Sequence, residues 1–142
     1  MIVQRLNFLF STFLEKFKIA FIYHSFHLIT GINPLKLIVT AKGEAKDTQS
    51  NKAGIYILGP NPVNSKPHWL QITGTHAIWY NEEKEIWAIG LQKSLGSDKA
   101  WIYSSDDVAS PQEATTWIYF NKEWITSDDI LVDTFVEPGT YK

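Results

Sequence analysis

Hydrophobic and polar positions change their period along this chain. Over residues 1–31 the polar side chains Gln4, Asn7, Ser11, Glu15 and Lys18 recur at steps of three and four, which keeps them on one helical stripe. Ile2, Leu6, Leu9, Phe10, Phe13, Phe17 and Phe21 occupy the opposite side. The spacing predicts an amphipathic helix that ends at or before residues 31–34, where Gly31 and Pro34 break it. Residues 35–41 read as a short strand. Residues 43–53, GEAKDTQSNKA, are small, polar and aperiodic and read as a linker.

From residue 54 the pattern becomes short β-rich runs: GIYILG, HWLQIT, HAIWY, EIWAIGL, AWIY, TTWIYF, EWI and ILVDTFV, bounded by Gly, Pro, Asn, Asp or Ser. No long helix is expected there. Ser110, Pro111 and Glu113 signal one short helical turn with a capping box. The expected fold is mainly β, a small antiparallel barrel or two-layer sandwich, with the N-terminal amphipathic helix.

Two hairpins carry most of the detail. A loop at residues 81–84 pairs Tyr80 with Glu85, Trp79 with Ile86, Ile78 with Trp87 and Ala77 with Ala88. Faces alternate along a strand, so Ala77, Trp79, Ile86 and Ala88 form an apolar face that needs a bulky cover. His76, Ile78, Tyr80, Glu85, Trp87 and Ile89 form the other, expected at a rim or surface. A two-residue turn at Asn121-Lys122 pairs Phe120 with Glu123 and Tyr119 with Trp124. This register gathers Trp117, Tyr119 and Trp124 on one face, either as a stacking platform for a ligand or as a second core layer. Trp87 is the further candidate ligand-binding residue.

Composition sharpens this picture in three ways. The chain has 142 residues with 44% hydrophobic and 20% charged side chains, enough for a folded domain with a core. It has no cysteine, which excludes disulfides, thiolate catalysis and Cys-ligated zinc and leans towards the cytosol without deciding the compartment. Charge is uneven: residues 1–42 carry a net +4 and residues 43–142 a net −6, the latter without Arg. Nucleic acid is therefore not an expected partner, since phosphate binding needs clustered cations.

Residues 1–42 are expected as an accessory helix and extended segment: a packing element, a targeting or membrane-surface helix contacting lipid through residues 1–26, or an artefact of AT-rich DNA. Glu15, Lys16 and Lys18 argue against a membrane span, and no small-residue cleavage site follows the apolar stretch. The linker (43–53), the Trp-rich β module (54–136) and a tail (137–142) complete the expected organisation.

Candidate chemistry is sparse. Asp98, Asp106 and Asp107 are weak candidates for a calcium site, because that ion takes carboxylate and carbonyl oxygens, yet their spacing matches no EF-hand and turn capping explains them more cheaply. His24 and His27 are three apart, and His68 and His76 flank early β turns, with no HExxH motif. No nucleophile elbow, SxxK or phosphate loop occurs. No catalytic residue, metal or cofactor is expected.

Gly54-Ile55-Tyr56, Asn64, Pro67, Trp69, the IWY at 78–80, the WAIG at 87–90, SLGSDKAWIYSSDD at 94–107, Pro111, Trp117 and Trp124 carry a resemblance. Over residues 54–132 the chain resembles a short Trp-rich β module of unknown function in predicted multidomain proteins of invertebrates and protists. The resemblance implies no activity or ligand. The functional expectation is a non-enzymatic module that binds a protein or peptide through exposed aromatics. The alternatives are a carbohydrate-binding module and a small carboxylate-dependent hydrolase.

Overall fold

Runs of β-branched and aromatic residues become strands here because their side chains pack across a pleated surface. The computed structural model describes residues 33–139. The helix expected over residues 1–31, its membrane-surface reading, and His24 and His27 lie outside the described residues. The strands are β1 (Lys36–Ala41), β2 (Gly54–Leu58), β3 (Trp69–Gln71), β4 (His76–Asn81), β5 (Ile86–Leu91), β6 (Ile102–Ser104), β7 (Trp117–Asn121), β8 (Glu123–Ser127) and β9 (Ile130–Thr134). Helix α1 (Gly43–Gln49) and a 3-10 turn (Ser50–Lys52) join β1 to β2, and further 3-10 turns form at Gln92–Ser94 and Pro111–Glu113.

The nine strands make one antiparallel sheet in the order β8-β7-β6-β5-β4-β3-β2-β1-β9, a nearly closed barrel. Strand parity explains the closure. Alternation from β1 to β8 leaves β8 running opposite to β1, and β9 also pairs antiparallel to β1. Hence β8 and β9 run in the same sense, joined by Asp128 and Asp129. They act as one bent strand whose first half pairs with β7 and whose second half pairs with β1. The bend is held by the Asp129 N–H donating to Ser127 Oγ at 2.9 Å and the Lys42 N–H donating to the Asp129 carbonyl at 3.0 Å. Such closure removes sheet edges that would otherwise invite pairing with another chain.

Large rings fill the interior. Trp69, Trp87, Trp117, Tyr56 and Tyr119 are buried together with Leu37, Val39, Ile78, Ile89, Ile102, Ile130 and Val132. Trp69 and Trp87 lie 6.1 Å apart, and Tyr80 meets Trp87 edge-on at 5.4 Å. The Trp87 indole N–H donates to the Val108 carbonyl at 2.8 Å, which satisfies its polar handle. A smaller cluster of Ala77, Trp79, Ala88 and Tyr103 sits on the outer face of β4–β6, covered by Val63, Leu95 and Ala100 from the flanking loops. The bulky cover expected over the Ala77, Trp79, Ile86 and Ala88 face is thus supplied by loops. Asn64 pins one of them, its Nδ2 donating to the Tyr80 carbonyl at 2.8 Å and the Gly96 carbonyl at 3.0 Å.

Both hairpin registers differ from expectation. In the first, Tyr80 pairs with Trp87 and Trp79 with Ala88, a shift of two residues that preserves the faces. The loop moves to residues 82–85, where Glu85 adopts φ 56. The face expected at a rim instead lines the interior, so Trp87 and His76 are buried. In the second, Phe120 pairs with Trp124 and Tyr119 with Ile125, a shift of one residue. Lys122 alone spans the turn, with φ 63. A one-residue shift flips every side chain of the strand, and Trp124 moves to the face opposite Trp117 and Tyr119.

Residues 43–53 are not an open linker. Ala45, Gln49 and Lys52 are buried, a helical spacing of four and three in which one residue alone is apolar, so hydrophobic periodicity misses it. The turn at Pro111–Glu113 forms where expected, although the Ser110 hydroxyl bonds Gln112 Oε1 and makes no capping box.

Candidate functional site

Because strand directions alternate, the ends of β1, β3, β5 and β7 and the starts of β2, β4, β6 and β8 share one end of the barrel. Helix α1 packs against both β1 and β7 there, and Gln49 Nε2 donates to the Phe120 carbonyl at 2.9 Å. Two cavities open at this end, with Leu91, Trp101 and Phe120 belonging to both.

The first is an apolar groove of about 450 Å³ lined by Leu91, Ser94, Lys99, Ala100, Trp101, Phe120 and Trp124. Of the six tryptophans four are fully buried, while Trp101 is 45% and Trp124 51% exposed, and both exposed ones line this groove. Phe120 bridges them, 6.0 Å from Trp101 at 46° and 5.2 Å from Trp124 at 60°. Tilted rings make walls of a side-chain pocket rather than one flat stacking surface.

The second cavity, about 390 Å³, is polar: Thr48, Gln49, Asn51, Lys52, Thr75 and His76 line it with the three shared residues. Lys52 is held in place by its backbone. Its carbonyl accepts from the Tyr56 hydroxyl at 2.6 Å, and Gln71 Nε2 donates to the carbonyls of Asn51 at 3.1 Å and Ala53 at 2.9 Å. Gln71 Oε1 in turn accepts from the His76 backbone N–H at 3.1 Å and lies 3.2 Å from His76 Nδ1. That contact puts the imidazole proton on Nδ1 and leaves Nε2 as an acceptor.

Lys52 is 7% exposed. Its ammonium donates to Asn51 Oδ1 at 3.0 Å and lies 5.8 Å from the Trp101 ring centre. No carboxylate among the described residues pairs with it; the Lys36–Glu137 ion pair lies elsewhere. Burial lowers the pKa of Lys52. Burial, followed by the charge of Lys52, lowers that of His76 below 6.5. Gln49 Oε1 is buried without a hydrogen-bond partner.

The expected site residues are separated by the fold. Trp87, Trp117 and Tyr119 are interior, and of the expected set only Trp124 reaches a cavity. Trp117 Nε1 is itself buried without a partner. Asp107 accepts from the Tyr80 hydroxyl at 3.1 Å; burial and then this carboxylate push the phenol up to about 12. The Asp106 carbonyl accepts from Ser104 Oγ, and the Asp98 carbonyl from the Tyr103 hydroxyl. Among the described residues no three His, Asp or Glu side chains gather to hold a metal. His68 is buried, with Nδ1 unpartnered.

Sequence reasoning missed Trp101, Phe120 and Lys52. Trp101 shares strand parity with the outward Tyr103, and Phe120 with Ile118, so the signal was available once the faces were assigned correctly. Lys52 offered none, because its burial comes from a segment with no apolar pattern.

Fold and site together define a nearly closed antiparallel β-barrel with a two-part cavity beside its helical cap. No family model, curated protein or solved structure matches the chain.

Proposed function

We propose that this protein is a non-enzymatic binding module that engages a protein or peptide partner through Trp101, Phe120 and Trp124. The observation that supports this reading is that the two exposed tryptophans of a Trp-filled barrel line one groove. Trp is the residue type that most often dominates such contacts, because it buries large area at small entropic cost. The tilt of the rings favours an inserted apolar side chain over a sugar ring, which would want a flat platform. Among the described residues no Asp or Glu lines either cavity, so the hydrolase reading draws no support from this site.

The test is binding of the full-length chain to arrays of random peptides and of diverse glycans. Retention of peptides rich in apolar and aromatic residues is expected, with Trp124→Ala weakening binding roughly tenfold or more. Glycan binding lost on Trp124→Ala, without peptide retention, overturns the proposal in favour of the carbohydrate-binding alternative.

A further inference from the structure

We propose that the polar cavity receives the C-terminal carboxylate of the partner peptide on Lys52, while the adjoining groove receives its last, apolar side chain. This rests on the peptide-binding reading above and adds to it the chemistry of the ligand's end.

Charge carries the argument first. Among the described residues the cavities are lined by two cations, Lys52 and Lys99, and by no acid, in a portion of the chain that is otherwise net acidic. An ammonium on a largely buried side chain is costly to leave without an anionic partner, and the side-chain acceptor it meets is the neutral Asn51 amide. An arriving carboxylate supplies the missing charge through a charge-assisted hydrogen bond. Thr48, Thr75 and His76 surround the same space.

Unused hydrogen-bonding capacity is the second, independent observation. Gln49 is 3% exposed, it lines this cavity, and its Oε1 has no donor. The last peptide unit of a chain offers an N–H donor beside its carboxylate, which suits a cavity lined by the amides of Gln49 and Asn51 and the hydroxyls of Thr48 and Thr75. A fatty acid offers the carboxylate alone. Adjacency is the third element: Trp101 and Phe120 wall both cavities, and the Lys52 ammonium is 5.8 Å from the Trp101 ring. A carboxylate on Lys52 thus places the side chain of its own residue beside the groove.

The experiment pans the full-length chain against two random peptide libraries, one displayed with free C-termini and one closed at both ends. Enrichment of the free-ended library alone, converging on an apolar last residue, is expected. A selected peptide is then compared with its C-terminal amide, which should bind roughly tenfold or more weakly. Lys52→Met should erase that difference by weakening the acid alone, while Lys52→Arg restores it; melting curves of both variants verify folding.

Equal enrichment from both libraries leaves peptide binding standing and overturns the carboxylate assignment, as does a Lys52→Met variant with undiminished preference for the acid. Enrichment from neither library overturns the peptide reading itself. Binding of dodecanoate in that last case assigns the cavity to a free lipid acid instead.

Discussion

At Gly90 a single hydrogen decides whether the outer cluster of the barrel can form. A Cβ at this position would lie 2.7 Å from Trp79 Cη2 and 3.0 Å from Ala100 Cα, so the end of the Trp79 ring and the Ala100 backbone occupy the space a side chain would need. Gly90→Ala should destabilise the protein by about 1–3 kcal/mol through overpacking, read as a lower melting temperature. The buried histidines set a pH dependence at the same scale. Burial lowers the pKa of both His68 and His76 below 6.5, so the unfolded chain takes up protons before the folded one does. Their contribution to stability is fully present above the unfolded value and is lost as pH falls through the lowered folded values. The melting temperature should therefore drop as buffers move from neutral to mildly acidic, and His76→Gln should flatten that slope. A slope unchanged by this substitution would assign the dependence to other groups.

Elements were legible to the extent that their burial is written in apolar residues. The β runs from GIYIL to ILVDT were readable because Trp, Ile, Val and Tyr alternate with turn formers, and all eight runs became strands. Register was less legible. Hairpin pairing depends on which backbone residues adopt positive φ, and Glu85 and Lys122, neither a preferred residue for that region, do so here. The two-residue shift in the first hairpin was harmless to the faces, whereas the one-residue shift in the second took Trp124 away from Trp117 and Tyr119. Acrylamide quenching of tryptophan fluorescence checks this arrangement directly. A quenchable fraction from Trp101 and Trp124 is expected, lost in the Trp101→Phe, Trp124→Phe double variant, while the four buried rings stay shielded.

For the whole molecule, β1 matters out of proportion to its six residues, because it pairs with β2 on one side and β9 on the other. A chain beginning at residue 43 lacks this strand, which exposes both partners and opens the barrel. It should lose the cooperative thermal unfolding of the full chain, followed by circular dichroism. The sequence by itself determined the class of fold, the antiparallel character and the use of Trp as core filler, since local alternation and turn chemistry are properties of neighbouring residues. Only the tertiary structure decided the site. Residues 48–52, 75–76, 91–101 and 120–124 meet because strand parity brings their ends to one rim of the barrel and α1 folds across it. Which tryptophans are spare, and that a lysine from a polar segment is buried among them, follows from that closure and from no local pattern. Burial at this rim depends on strands far apart in sequence, and the even count that closes the barrel exists only because β8 and β9 together act as one strand.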